Sequence, residues 1–370
     1  MGTKLLSGTG KIAVLFTGGT IGSKNNNGTV SVHESGTYAL LEAYGSLPDK
    51  RDVQFETAQP LNVLSENLVP EDWNTLMDAL DRLDKAEYAG IIVTHGSDTL
   101  AYSAAMLSYL CCDSPVPIVL VAANYHLGDE RSNGVSNFAA AIDFIMDTGS
   151  APGVFVVYRN DRGESLVYLG TRITQCESFT DQFGSPYTLP YGRVEQGCFI
   201  PETHSDNPTL TALRARERTV SPWAERGSGK RIESGLLYIK PFTGIDYSFY
   251  DFSRRKPKAV LHDLYHSGTA SANAPGNYSL LGFAEYCGEQ GVDLYLCPLK
   301  DRTEAMYASS VSLMEAGVVF IDNLSVEAAL MKLMLAYSLF DRKEDIESFM
   351  WNTELFYERL KRDRQGADEK

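Results

Sequence analysis

The sequence is short of the residues that most metal, redox and nucleic-acid functions draw on. Its six cysteines (Cys111, Cys112, Cys176, Cys198, Cys287 and Cys297) fall at irregular spacing, which fits neither a zinc-ligand pattern nor a disulfide framework. The adjacent Cys111 and Cys112 read as packing at a helix end. Histidine is scarce as well, six in 370 residues. His262 and His266 stand four apart, as two ligands on a helix would, but "AVLHDLYHSG" reads as a strand running into a loop, and there is no H-E-x-x-H. Positive charge is in deficit: 33 Lys and Arg against 48 Asp and Glu leave a net charge of −15, which argues against a nucleic-acid partner. No stretch approaches the ~20 apolar residues of a membrane span. The first apolar run, Ile12–Phe16, is too short for the apolar core of a secretory signal. The expectation is a cytoplasmic protein with no metal, no organic cofactor, and no nucleic-acid or membrane partner. Internal repeats and low-complexity tracts are missing too. The S-x-x-K match "SRRK", Ser253–Lys256, stands in a basic loop without its companion motifs.

What is present is enough apolar material for two cores: 44% of the residues are hydrophobic, and the length suits two domains. Short β-branched runs alternate with amphipathic stretches. Ile12–Phe16 reads as a buried strand, residues 37–47 as a helix and Val53–Thr57 as a strand. "VPEDWNTLMDALDRLDKA" reads as a helix with Pro70 in its first turn and acids at its positive end. "GIIVTHG" and "VPIVLVA" are buried strands, each followed by a helix, "TLAYSAAMLSYL" and "NFAAAIDFIMD". "GVFVVYRNDRGESLVYLG" is a hairpin turning at Asp161–Gly163. From Pro201 to Lys230 the chain is polar and aperiodic. A second alternating segment follows, from "AVLHDLY" to a long helix after Ser325. The pattern predicts an α/β fold of two doubly wound α/β domains: a larger N-terminal domain over 1–200, a linker over 201–230 and a smaller C-terminal domain over 231–370.

In such sheets ligands sit outside the carboxyl ends of the strands, and two strand exits here carry hydroxyls. The first is "FTGGTIG". Gly18 and Gly19 permit a tight turn and a close backbone approach, and Thr20 can present a hydroxyl beside backbone N–H groups. A glycine turn with a capping threonine explains the same letters. A phosphate loop does not, because the spacing misses G-x-G-x-x-G and Lys24 is not in a Walker arrangement. The second exit is "VTHGSDTLAYSA", where Ser97 and Asp98 meet a helix start; both residue types are favoured N-caps. The functional alternative has Asp98 bind a substrate ammonium while Ser97 assists at the reacting carbon.

Together the two exits resemble the signatures of the two-domain bacterial asparaginases and related amidohydrolases. "TGGTIG" and "THGSDT" stand in the family's order and separation, "PLNVLSENLVPEDW" resembles the segment between them, and "YASSVSLMEAGVVFIDNLSVEAALMKLMLAY" resembles its C-terminal domain. The resemblance implies that Thr20 attacks a side-chain amide, that ammonia leaves, and that water hydrolyses the acyl-enzyme. Gly19, Ser65, Glu66 and Asp98 then fall on substrate-binding positions, and Ser97 and Asp98 on the threonine and aspartate of the second signature. It further implies a homodimer or homotetramer acting on a small amino-acid amide, with Asn273 near a contribution to the neighbouring subunit's site.

The sequence also departs from that pattern. The family activates its nucleophile with a loop tyrosine and a lysine. The loop here, "IGSKNNNGTVSVHESGTYA", has Gly28 or Thr29 at the tyrosine's place, with Tyr38 the nearest tyrosine. "LGTRITQCES" puts Gln175 where the lysine is expected, and glutamine cannot exchange a proton usefully at neutral pH. Lys24, Tyr187 and Tyr191 lie near these segments and read as surface or packing residues. Glu66 sets a carboxylate where it would oppose a substrate's α-carboxylate. Three readings follow: an amidohydrolase for asparagine or a modified amide, a binding or sensing protein that keeps the fold, and an amidotransferase component that supplies ammonia.

Overall fold

The structure, a computed structural model, describes residues 10–19, 21, 23–26, 29–32, 35–149, 151–216, 220–224, 229–300 and 306–360. The chain divides into two compact units. One holds residues up to Arg231 together with Leu355–Tyr357; the other holds Ile232–Glu354 and Glu358–Lys361.

The first unit runs β1 (Lys11–Phe16), β2 (Ser23–Asn26), β3 (Thr29–Val32), α1 (Ser35–Gly45), β4 (Gln54–Ala58), α2 (Pro70–Asp81), β5 (Gly90–Thr94), α3 (Leu100–Leu110), β6 (Pro117–Val121), α4 (Gly134–Asp147), β7 (Gly153–Arg159), β8 (Ser165–Leu169), β9 (Thr174–Cys176), β10 (Phe183–Gly184), β11 (Gly192–Glu195), β12 (Cys198–Pro201) and α5 (Leu210–Ala215). Its main sheet has the order β12-β11-β8-β7-β6-β5-β1-β4. The strands from β4 to β7 pair in parallel, and β8, β11 and β12 add antiparallel. Strands buried on both faces need continuous apolar runs, which is what "KIAVLF" and "GIIVT" supply. On one face Ile12, Val14, Ile92, Val119 and Phe155 share a core with Leu40 and Tyr44 of α1 and Phe138, Ile142 and Phe144 of α4. The paired helices α2 and α3 are joined by the Trp73 indole, which donates to the Ser103 hydroxyl at 2.9 Å, and by the Cys111–Met77 sulfur contact at 3.5 Å. The start of α2 follows its sequence signals: Pro70 stands at the first turn, and the Asp72 carboxylate accepts from the Val69 N–H at 2.8 Å.

Residues 201–230, whose polar, aperiodic sequence reads as a linker, cluster with the first unit. They contain α5, capped by the Thr209 hydroxyl, and Trp223, whose indole donates to the Asp81 carboxylate at 2.9 Å. Side-chain bonds of this kind leave no hydrophobic period behind, so the segment is silent to pattern reading.

The second unit carries a parallel sheet of β13 (Leu236–Ile239), β14 (Ala259–Asp263), β15 (Asp293–Leu299) and β16 (Val319–Asp322), with α6 (Leu280–Glu289), α7 (Ala308–Glu315), α8 (Val326–Leu339) and α9 (Lys343–Asn352). The period of two sorts β15. Leu294 and Leu296 join Phe283 of α6 and Leu313 of α7 in one core. Tyr295 takes the other side, where its hydroxyl meets that of Tyr337 on α8 at 3.0 Å.

Candidate active site

The chain leaves β1, steps outward to β4 and returns across β1 to β5, so the strand order reverses at β1 and a crevice opens at the carboxyl ends of β1 and β5. Both hydroxyl-bearing exits lie there. Thr17, buried at the end of β1, donates its hydroxyl to the Thr94 carbonyl of β5 at 2.6 Å. Beyond it the chain zips to the segment after β4: Val63 N–H donates to Thr17 O at 3.0 Å, and Gly19 N–H donates to Val63 O at 3.2 Å. Gly18 and Gly19 have φ of +105° and +75°, the left-handed region open to glycine. Room is the second constraint on Gly19, because a Cβ there would lie 2.6 Å from the Gly96 nitrogen.

The third strand of the crossing is the turn Ser65–Asn67. Ser65 is buried, and a Cβ on Gly96 would lie 2.3 Å from its hydroxyl oxygen. The Thr99 hydroxyl donates to the Ser65 carbonyl at 2.9 Å. Three chain reversals, at 17–19, 63–65 and 95–99, are therefore packed backbone to backbone. The Ser65 hydroxyl itself has no hydrogen-bond partner among the described residues. Glu66 is exposed on the same turn.

Ser97 and Asp98 occupy a single 3-10 turn ahead of α3, Ser97 half-buried and Asp98 exposed. The helix N-cap is Thr99, whose hydroxyl is spent on Ser65, so no side chain caps α3. The capping role that Ser and Asp suggest at this position is not what they perform. His95, just before them, is fully buried; burial pushes its pKa down to about 4, and its Nδ1–H donates to the Gly96 carbonyl at 2.8 Å. It is a neutral strut for the turn.

Gln175 reaches this turn from β9: its Nε2 donates to the Asp98 carbonyl at 2.8 Å. The strand that carries it is tied to the sheet through Asp181, whose carboxylate accepts from Asn124 Nδ2 at 3.0 Å, and Asn124 in turn receives the Asn133 N–H at 3.0 Å. Asn124, Asn133 and Asp181 escaped sequence reading. Their signal, polar residues clustered just past a buried strand in "VAANYHLGDERSNG", is also that of an ordinary loop.

Thr20 lies outside the described residues, between Gly19 and Ile21, which are described. Gly28 lies outside them too. The loop after the first exit contains the β2–β3 hairpin, with Thr29 on β3 and Tyr38 in α1; the side chains of Lys24, Thr29 and Tyr38 are not described. Tyr187 is exposed, and Tyr191 is buried against Phe155 and Phe199. His262 is buried on β14, with Tyr247 and the Asp263 carbonyl as partners, while His266 stands on an exposed turn beyond it. Asn273 is exposed in the second unit.

Glycine-tight, hydroxyl-bearing turns meeting over the switch point of a parallel sheet, with a second parallel-sheet unit in the same chain, define a two-unit α/β protein with a crevice suited to a small ligand. The particular lineage comes from comparison. Residues 11–205 match the family model described as Asparaginase, N-terminal, and the chain belongs to the asparaginase family. It is 27% identical over 342 residues to the D subunit of glutamyl-tRNA(Gln) amidotransferase from Methanococcus maripaludis, an alignment covering 90% of this chain and 77% of that one. It is 27% identical over 336 residues to L-asparaginase 1 of Escherichia coli, covering 87% and 90%. The thermostable L-asparaginase of Thermococcus kodakarensis shares the fold, with a TM-score of 0.72 at 23% identity over 95% of this chain and 99% of that chain. Among the described residues no helix is long and apolar enough to cross a membrane.

Proposed function

We propose that this chain is an amidohydrolase that cleaves the side-chain amide of asparagine or of a modified amino-acid amide through an acyl intermediate on Thr20. The observation that supports it most is the close approach of Gly19, Ser65 and Gly96 at the carboxyl ends of β1 and β5, which sets the turn preceding Thr20 against the turn bearing Ser97 and Asp98. In this reading the Thr20 oxygen bonds to the amide carbon, the C–N bond breaks, and the nitrogen departs as ammonia with the hydroxyl proton. Water then bonds to the same carbon, the ester C–O bond breaks, and Thr20 recovers its proton. Asp98 takes the substrate ammonium, Ser65 and Gly19 the carboxylate end, and Ser97 supports the developing oxyanion or the proton transfer. Gln175 serves as a positioning residue that fixes the Asp98 main chain, since an amide moves no proton at neutral pH. The exposed carboxylate of Glu66 favours a substrate with a cationic or polyhydroxyl substituent over free asparagine.

The test is ammonia release from asparagine, glutamine and N-substituted amides. Thr20→Ala is expected to abolish whichever activity is found, and full activity in that variant would end the assignment. A second reading, an ammonia-supplying component of an amidotransferase, is favoured by the relatives named for that role. It predicts glutamine hydrolysis that rises when a partner protein is added. Ligand-dependent thermal stabilisation with no turnover of any amide would instead point to a binding or sensing protein.

A further inference from the structure

A cavity of about 400 Å³ lies wholly within the second unit, and nothing in the amide chemistry uses it. Its walls come from two aromatic pairs, each spaced i, i+3. Tyr247 and Tyr250 flank the 3-10 turn Tyr247–Phe249, where residues three apart eclipse one another. Phe283 and Tyr286 are three apart on α6 and so share a face. The pairs meet around Phe283, whose ring centroid lies 5.0 Å from Tyr247, 5.8 Å from Tyr250 and 6.3 Å from Tyr286, at interplanar angles of 19°, 55° and 34°. Tyr247 and Phe283 are rooted in the core, while Tyr250 and Tyr286 are half-buried.

One charged side chain lines this cavity, Asp251. Its two oxygens accept from the Ser253 N–H and hydroxyl, each at 2.8 Å. Those donors, with help from the Tyr286 hydroxyl, hold its pKa below the usual carboxylate range, so it stays anionic. The nearby Lys256 is turned away, its amine donating to the Gln290 carbonyl at 2.9 Å. Gly282, inside α6, is also one of the lining residues. Glycine in a helix costs roughly 1 kcal/mol relative to alanine, yet no packing demands it here, because a Cβ would meet only Ser279 Cβ at 3.9 Å. What the missing side chain leaves is open space on the cavity wall.

Inclined ring faces carry negative potential, and a fixed carboxylate adds to it, so an anion is excluded and a cation attracted. Ring faces offer few hydrogen-bond acceptors to an ammonium, which suits a cation whose nitrogen carries methyl groups in place of protons. We propose that this pocket binds the trimethylammonium group of a small cationic molecule, with Tyr250, Phe283 and Tyr286 around the methyl groups and Asp251 as the counter-charge.

The experiment titrates the full-length protein with choline by calorimetry, alongside the neutral carbon isostere in which a tert-butyl group replaces trimethylammonium. Choline is expected to bind saturably and the isostere at least about tenfold more weakly. Asp251→Asn is expected to weaken choline by about tenfold and leave the isostere unchanged. Gly282→Leu is expected to block both while its thermal midpoint does not fall, which separates a filled pocket from a damaged fold. Absence of saturable choline binding overturns the proposal. So does equal binding of the isostere, or a folded Gly282→Leu protein that binds choline as before.

Discussion

Gly96 is held at the site by two neighbours at once: its own Cβ would collide with the Ser65 side chain, and its nitrogen is what a Cβ on Gly19 would strike. A methyl group at either glycine must push neighbouring turns away from each other. Gly96→Ala is therefore expected to destabilise the first unit by about 2–4 kcal/mol and to cost more than about 100-fold in kcat/KM; urea unfolding and ammonia release measure the two effects. A variant of wild-type stability and activity would show that the turns have slack. Gln175 gives a finer probe. Gln175→Ala removes the donor to the Asp98 carbonyl and should lower kcat about tenfold with the pH profile unchanged, because no titrating group is lost. Gln175→Lys puts an amine there and should add a new limb to the pH–rate profile. The glycines and hydroxyls of both exits were legible in the sequence as residue types. That Thr99 grips Ser65, and that an amide 77 positions on grips Asp98, was not, because a side chain bonding to main chain leaves no spacing to read.

At the scale of elements, strands buried on both faces and helices with a wide apolar stripe were readable, as β1, β5, β6 and α2 show. The β2–β3 hairpin and α5 were not, because neither has a run long enough to show a period. The helix α8 shows how a pattern can be right and incomplete. "EAALMKLMLAYSL" announces a Met/Leu/Ala face, and Ala328, Ala329, Met331 and Leu335 are buried as that face requires. Lys332 interrupts the stripe, yet it too is fully buried, paired with Glu358 and donating to the Thr353 carbonyl at 2.6 Å. The chain after α9 is pinned to α8 by this ion pair and to the end of β16 by Arg359, which donates to the Asp322 carbonyl at 3.1 Å. Removing one partner strands the other charge in the interior. Lys332→Met alone should cost about 3–5 kcal/mol, and adding Glu358→Leu should restore most of it. Unfolding midpoints of the two single variants and the double variant decide it; additive losses would mean the pair is not coupled.

At the scale of the whole molecule the two units share a vulnerability that neither composition nor motif announces. Each contains a fully buried histidine held neutral: His95 at the end of β5 in the first, and His262 on β14 in the second, where the Tyr247 hydroxyl lies 2.9 Å from its Nε2. Burial pushes both down to about 4, from an ordinary value of 6.5. As pH falls through 6.5 the unfolded chain takes up protons at these rings while the folded units do not, so the unfolded state binds more protons and stability falls. The loss is at most about 1.4 kcal/mol per pH step for each ring, and it stops near pH 4, where the folded rings protonate as well. Above pH 6.5 both states are neutral at these positions and the contribution is flat. His262→Asn removes one ring. It should be less stable than the parent at pH 7, because the partner of the Tyr247 hydroxyl is gone, and it should lose less on acidification. The two stability curves converge between pH 6.5 and 4 if His262 is neutral when folded, and run parallel if it is not. Urea midpoints taken at half-unit steps of pH across that window distinguish the two.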